Sequence, residues 1–222
     1  MKAGARALGV AESYREAGAD HREGPASERA GSERRPAPQG SHGGRRESGT
    51  TREHTSTLAG SVVRADRVTD GFVFGSCTVG GSDATAAVCE MVVRLDREDV
   101  QYLFVAGIAP AWFNVLDLHR LHEATDLPVL SVTFEESLGL EPAIREALDD
   151  ADVVRDRLAT YRDQPDRRRL SVNDETVFLR NVGIDDAAAN DAVRAFTPEG
   201  GRPEPLRVAR SAARAADEFV RD

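Results

Sequence analysis

The chain is 222 residues long and 40% hydrophobic, which suffices for one well-buried core. No apolar run reaches the roughly eighteen residues of a membrane helix, and Met1–Val10 lacks the basic start and apolar stretch of a signal peptide, so a cytoplasmic protein is expected. Acidic residues outnumber basic ones by 38 to 29, for a net charge of −9, and Lys2 is the only lysine, a balance that points to a high-salt (halophilic) or high-GC source. Because the Debye length is only about 3 Å at molar salt, this acidity does not exclude nucleic acid as a partner.

In chain order, a first strand is predicted over Arg6–Glu12. From Arg15 to Thr57 no Val, Leu, Ile, Met, Phe, Tyr or Trp occurs. Such a stretch cannot bury enough apolar surface to offset its ordering entropy, so residues 15–57 are expected to form a disordered insertion in a single domain made of 1–14 and 58–222. The insertion's Gly43-Gly44-Arg45-Arg46 patch offers a contact for RNA phosphates, although a solvated loop is the plainer reading.

Strands follow over Leu58–Arg67 and Gly71–Val79, with Asp70-Gly71 as a hairpin signal between them. Past Gly80-Gly81 the period becomes helical over Ala84–Leu95, where Val88, Met91, Val92 and Leu95 form one stripe behind a Ser82 or Asp83 cap. Strand Gln101–Ala106, helix Ala111–Ala124 and strand Pro128–Thr133 alternate as in βαβ units. A long charged helix over Glu141–Arg162, a hairpin around Leu170–Arg180, and helices Asp185–Phe196 and Pro205–Val220 complete the chain, the last with Leu206, Ala209, Ala213, Ala216 and Val220 on one side. Cys77 and Cys89 show no Cys-x-x-Cys spacing, so buried free thiols are expected.

Three antiparallel strands followed by strand–helix–strand units give an α/β, ribonuclease H-like mixed sheet flanked by helices. A flavodoxin-like sheet is the competitor, disfavoured because the first three strands leave no room for crossover helices.

Several segments resemble the archaeal domain-of-unknown-function 99 family, also called uncharacterised protein family 0215. They are Ala7-Leu8-Gly9-Val10-Ala11-Glu12-Ser13-Tyr14, Arg64-Ala65-Asp66-Arg67-Val68-Thr69-Asp70-Gly71 and Thr78-Val79-Gly80-Gly81-Ser82-Asp83-Ala84-Thr85. Trp112-Phe113-Asn114, Thr133-Phe134-Glu135-Glu136-Ser137, Ala195-Phe196-Thr197 and the run from Arg202-Pro203-Glu204-Pro205 to Arg210 add to them. The Phe-Thr and Pro-Glu-Pro ending and the Gly-x-x-x-Ser-aromatic turn after the first strand are more distantly similar to endonuclease V. That likeness implies a metal-dependent nuclease ancestor with carboxylates at the carboxyl ends of the central strands. Its pattern puts Ala11 where an aspartate is expected, with Glu12 adjacent and, by strand alternation, pointing away unless a bulge turns it. The second aspartate is missing from Val105-Ala106-Gly107, and the histidine from Asn181-Val182-Gly183-Ile184.

Hard divalent cations need clustered oxygen ligands, and Glu12, Asp66 and Asp83 are the remaining catalytic candidates, with Asp70 a weaker fourth. Glu12 and Asp83 are the metal candidates if the site is intact, for Mg²⁺ or Mn²⁺. Each carboxylate also has a plainer reading, as a surface group, a partner of Arg64 or Arg67, a helix cap, or a turn residue. Ser13, Gly80, Gly81, Asn114, Thr133 and Glu135 are the ligand-binding candidates: the glycines offer amides to a phosphate, and Thr133, Glu135, Glu136 and Ser137 follow a parallel strand, where open sheets bind ligands. His119 and His122 read as a solvated helix face.

The leading expectation is a protein that binds nucleic acid or a nucleotide, with the ancestral metal site lost or remodelled. An active Mg²⁺- or Mn²⁺-dependent endonuclease with rearranged carboxylates and a non-catalytic interaction protein remain as alternatives.

Overall fold

The computed structural model describes residues 4–14, 55–137 and 139–221. The strands are β1 (Arg6–Glu12), β2 (Thr55–Arg64), β3 (Thr69–Thr78), β4 (Val100–Ala106), β5 (Val129–Thr133), β6 (Arg168–Val172) and β7 (Glu175–Val182). The helical segments are α1 (Ala84–Leu95), α2 (Pro110–Phe113), α3 (Leu118–Thr125), α4 (Glu141–Ala147), α5 (Ala151–Arg162), α6 (Asp186–Ala195) and α7 (Glu204–Arg221). They build one mixed sheet in the order β3-β2-β1-β4-β5-β7-β6. β1 pairs antiparallel with β2 and parallel with β4, β4 is parallel to β5, and the β6/β7 hairpin joins β5 antiparallel. The expected ribonuclease H-like α/β sheet is therefore present.

Strand alternation assigns the two faces. Leu8, Val10, Leu58, Val62, Leu103 and Val105 pack with Val88 and Met91 of α1 and Leu118 and Leu121 of α3. Ala7, Phe104, Leu130, Val132 and Leu179 pack on the other face with α6 and with Leu206 of α7. Two close approaches depend on missing side chains. Met91 occupies space beside Gly75, where an added Cβ would lie 2.9 Å from its Sδ, and Pro205 of α7 sits so close to Gly9 that a Cβ there would lie 2.3 Å from the proline's carbonyl carbon.

Several boundaries differ from expectation. β2 begins at Thr55, so the last three residues assigned to the insertion belong to the sheet; the rest of that reading, and the Gly43–Arg46 patch, lie outside the described residues. The β2/β3 turn runs through Ala65–Val68 rather than Asp70-Gly71. Arg67 takes the left-handed position (φ 75°), the Arg64 amide donates to the Val68 carbonyl at 2.9 Å, and a register shift at Val62/Val63 absorbs the change. Asp70 instead lies within β3, held by Arg6 at 2.6 Å and Arg97 at 3.3 Å.

The helix expected over Ala111–Ala124 breaks in two because Ala111, Trp112 and Phe113 are all left-handed, and α3 starts afresh behind Asp117, whose carboxylate accepts from the Arg120 amide. The long charged helix breaks at Asp150, whose carboxylate caps α5 through the Asp152 and Val153 amides. On α7 the predicted stripe is buried through Ala213, but Val220 is exposed. Cys77 and Cys89 are free, as expected, but only Cys77 is buried, Cys89 being half-buried, and no helix among the described residues is long and apolar enough to cross a membrane.

Candidate functional site

Glu12 ends β1 in the middle of the sheet and, by alternation, shares a face with Leu8 and Val10. Its carboxyl enters a narrow crevice bounded by Leu58, Val88, Val105 and Leu116. Oε2 accepts hydrogen bonds from the Ala111 amide at 2.5 Å and the Ser56 hydroxyl at 3.4 Å. Removal from water penalises the charged form, and this outweighs both hydrogen bonds and the attraction of Arg210, so the pKa rises to about 7. Glu12 therefore ionises near neutrality.

The amide that Glu12 binds belongs to α2, a left-handed turn in which Ala111, Trp112 and Phe113 have φ of 46°, 58° and 58°. Each such residue costs about 1–2 kcal/mol, so the turn persists only because its surroundings hold it. The Ala111 carbonyl accepts from the Gly80 amide at 2.7 Å, and the Asn114 amide donates to the Pro110 carbonyl at 2.9 Å. Asn114 is fully buried. Its Oδ1 accepts from the Ala84 amide, and its Nδ2 donates to the Thr78 carbonyl at 2.9 Å and to Asp83 at 2.6 Å. Asn114 thus ties together β3, the start of α1 and the turn above Glu12, and it is not a cleft-facing ligand residue.

Asp83 occupies the cap position of α1, but its carboxylate turns back to β3. It accepts from the Thr78 amide at 3.0 and 3.1 Å, the Thr78 hydroxyl at 2.8 Å and Asn114. Burial alone would raise its pKa, but these bonds together hold it below the usual carboxylate value. The amides of Gly80 and Gly81 are spent on the Ala111 and Thr78 carbonyls, and the glycines' own carbonyls accept from Arg157, so the pair is not a phosphate cradle. The Ser13 hydroxyl accepts from the Thr57 amide at 3.1 Å and prolongs the β1/β2 ladder.

Asp66 is placed at the far end of the sheet. Glu12 pairs with Leu58 whereas Arg6 pairs with Arg64, and Asp66 lies beyond that end, bound to Arg64. At about 3.3 Å per residue it is roughly 20 Å from Glu12. The carboxylates expected to converge therefore do not. Asp83's oxygens are occupied, the position after β4 holds Gly107, and no group of three metal-ligating residues occurs among the described residues. The donor set does not fit a carboxylate-clustered divalent-metal centre. His119 and His122 also serve structure, bonding to the carbonyls of Asp163 and Leu127.

Next to the crevice, with Ala106 common to both, a cavity of about 400 Å³ opens at the carboxyl ends of β4 and β5. Thr133 and Glu135 line it, as expected for residues after a parallel strand. So do four arginines that the sequence reasoning did not single out: Arg167, Arg180, Arg202 and Arg210. Three are steadied by aromatic faces, Arg167 on Phe178 at 4.0 Å, Arg202 on Phe134 at 4.4 Å and Arg180 on Tyr161 at 5.4 Å. None of the four is in an ion pair among the described residues, whereas Arg6, Arg64, Arg162, Arg168 and Arg207 each pair with a carboxylate. Burial and the neighbouring Arg180 charge both depress the pKa of Arg167. The only available signal was that Arg202 and Arg210 bracket the C-terminal motif; nothing local marked Arg167 and Arg180.

The profile of the family described as Endonuclease dU matches residues 44–217. A UPF0215 protein of Thermococcus kodakarensis is 34% identical over 160 residues, covering 71% of this chain and 80% of that protein, and one of Pyrobaculum aerophilum is 31% identical over 167 residues, covering 75% and 88%. Among solved structures, a protein of unknown function from Archaeoglobus fulgidus superposes with a TM-score of 0.68 at 21% identity, covering 95% of this chain and 97% of that one. Human endonuclease V superposes with 0.55 at 13% identity (98% and 86% covered). Ciona intestinalis endonuclease V, bound to DNA containing an inosine, superposes with 0.54 at 10% identity (97% and 86% covered). The fold is thus that of endonuclease V, and the chain belongs to the Endonuclease dU family.

Proposed function

We propose that this protein binds a nucleic-acid strand in the arginine-lined cleft, and that Glu12, rather than a cluster of carboxylates, is the residue through which it acts on that strand. The observation that carries this reading is the set of four cavity arginines, none of them in an ion pair among the described residues. Glu135 and Glu136 act on Arg167, and Glu12 on Arg210, without forming an ion pair, so the cluster still favours a polyanion, and guanidinium groups match phosphate geometry. The description of the family supports a deoxyuridine-containing strand, and the DNA complex of the Ciona relative supports nucleic acid as the ligand class. Glu12 lies in the adjacent crevice, which shares Ala106 with this cleft, and is half-ionised near pH 7, the condition under which a carboxyl can both take up and release a proton.

The test is fluorescence anisotropy with a labelled single-stranded oligonucleotide carrying one deoxyuridine, measured as a function of salt and paired with cleavage assays in Mg²⁺, Mn²⁺ and chelator. Replacing Arg202 and Arg210 by alanine should weaken binding at least about tenfold and flatten the slope of log affinity against log salt by roughly 0.7 per lost phosphate contact. Unchanged affinity and slope would refute the cleft as the binding site. Cleavage that survives Glu12→Gln would refute the role of Glu12.

A further inference from the structure

We infer that Arg157 of α5 is a positioning residue for Glu12, acting through the Gly80-Gly81 loop to hold the Ala111 amide against the Glu12 carboxyl. What this does for chemistry rests on the reading of Glu12 as the residue that acts on a bound strand; the clamp itself does not.

Arg157 is 9% exposed, so its charge sits in the interior. Asp156 and Asp83 attract it without forming an ion pair, burial lowers its pKa, and its Nε is buried with no hydrogen-bond partner. An apolar side chain of similar size would avoid the cost of a buried charge, so stability alone gives no reason for an arginine here. Its visible work is at Nη2, which donates to the Gly80 carbonyl at 3.2 Å and to the Gly81 carbonyl.

The loop transmits this hold. Gly80 is left-handed at φ 68°, with its carbonyl on Arg157 and its amide donating to the Ala111 carbonyl at 2.7 Å. Gly81 admits no side chain, because a Cβ there would lie 2.5 Å from the Thr78 Cβ and 2.9 Å from Asp83 Oδ1. Ala111 in turn gives its amide to Glu12 Oε2 at 2.5 Å. Ala111 is the first of three left-handed residues, a conformation that only contacts from outside the turn can maintain. The Gly80 amide is such a contact, and Arg157 fixes Gly80. Arg157 also lies one helical turn from Tyr161, which lines the arginine cavity, so one face of α5 borders both the cavity and the loop that reaches Glu12.

The titratable groups that act on Glu12 directly are Arg210 from α7 and the Cys77 thiol from β3, with Asp83 at the start of α1 acting on the same thiol. Cys77, raised to about 12, stays protonated near neutrality. Arg157 is not among these groups, so its route to Glu12 is the Ala111 amide.

Two measurements on the full chain test the inference without nucleic acid. One is amide hydrogen exchange at Ala111 and Gly80; the other is the carbon-13 titration of the Glu12 carboxyl, assigned by its absence in Glu12→Gln. Wild type is compared with Arg157→Met, which removes the charge and the donors, and with Arg157→Lys, which keeps the charge but ends one bond short of Nη2. In both variants exchange at Ala111 and Gly80 should speed at least about tenfold while Phe104 and Leu130 in the sheet keep their protection. The charged carboxyl loses a donor, so its midpoint should rise by about one pH unit. Uniform loss of protection across the sheet with an unmoved midpoint is what a merely structural role gives, and overturns the inference. A midpoint that falls means that Arg157 seals the crevice against water rather than aiming the amide, and overturns it too. Full restoration by Arg157→Lys shows that charge and not reach is at work, with the same consequence. If Arg157→Met does not fold, Arg157→Lys carries both measurements. The expected exchange and titration results, combined with no oligonucleotide binding in the assays above, remove the proposed function and leave the clamp.

Discussion

Replacing Glu12 by glutamine isolates the energetic consequence of burying a carboxyl at the end of β1. The group ionises at 4.5 in an unfolded chain and at about 7 in the folded one. Between those values the folded state holds the proton more tightly, so unfolding releases protons and stability falls as pH rises. Below 4.5 both states are protonated and Glu12 makes no difference; above 7 the penalty is complete. At 1.36 kcal/mol per pH unit the full effect is roughly 3 kcal/mol, and because Glu12 retains some contact with solvent about 2 kcal/mol is expected. Glutamine keeps an oxygen for the Ala111 amide and carries no charge. Guanidinium denaturation of both proteins at pH 5, 6, 7 and 8 gives the difference directly. The variant should gain about 2 kcal/mol on wild type between pH 5 and pH 8, or roughly 4–8 °C in Tm. Parallel curves would show that Glu12 is not held by a dry environment and would remove the argument for its ionisation near neutrality.

Asn114→Ala should destabilise the fold by about 2–4 kcal/mol, because it strips the Ala84 amide of its cap, removes one of the two donors to the Thr78 carbonyl and takes a donor from Asp83; denaturation midpoints measure this, and a loss below about 1 kcal/mol contradicts the role assigned. Gly9→Ala drives a Cβ into the Pro205 backbone, so α7 must shift and carry Arg210 with it. We expect a Tm at least about 5 °C lower together with weaker oligonucleotide binding; an unchanged Tm would show that α7 does not dock there. The Cys77 thiol is 1% exposed, and burial, aided by the nearby Glu12 and Asp83 charges, pushes its pKa up to about 12. Iodoacetamide at pH 8 should leave Cys77 unmodified in the native protein and alkylate it on unfolding, read by peptide mass mapping; rapid native labelling would refute its burial.

Much of the fold was legible locally. The spans of β1 and α1 follow from hydrophobic period and matched the structure, and the α1 stripe through Val88 and Met91 does face the sheet. Errors arose where the backbone leaves its usual regions. Arg67 at φ 75° moved a turn that Asp70-Gly71 seemed to mark, and three left-handed residues split a run of sound helix formers. No propensity foretells such conformations in Arg, Ala, Trp or Phe, because contacts such as Gly80 to Ala111 impose them.

For the site, the sequence by itself singled out Glu12 at a strand end and Thr133 and Glu135 after a parallel strand, since strand order and period fix which residues reach the carboxyl edge of a sheet. Set against the pattern that the endonuclease V resemblance implies, it also lacks both aspartates and the histidine. Only the tertiary structure decided that Asp66 lies at the opposite end, that Asp83 and Asn114 are consumed in holding α1 to β3, and that Arg167, Arg180, Arg202 and Arg210 meet around one cavity. The reason is physical: period and propensity act over neighbouring residues, whereas antiparallel register, hydrogen-bond satisfaction and the gathering of charges from β7, α7 and two loops are set by packing between segments far apart in the chain.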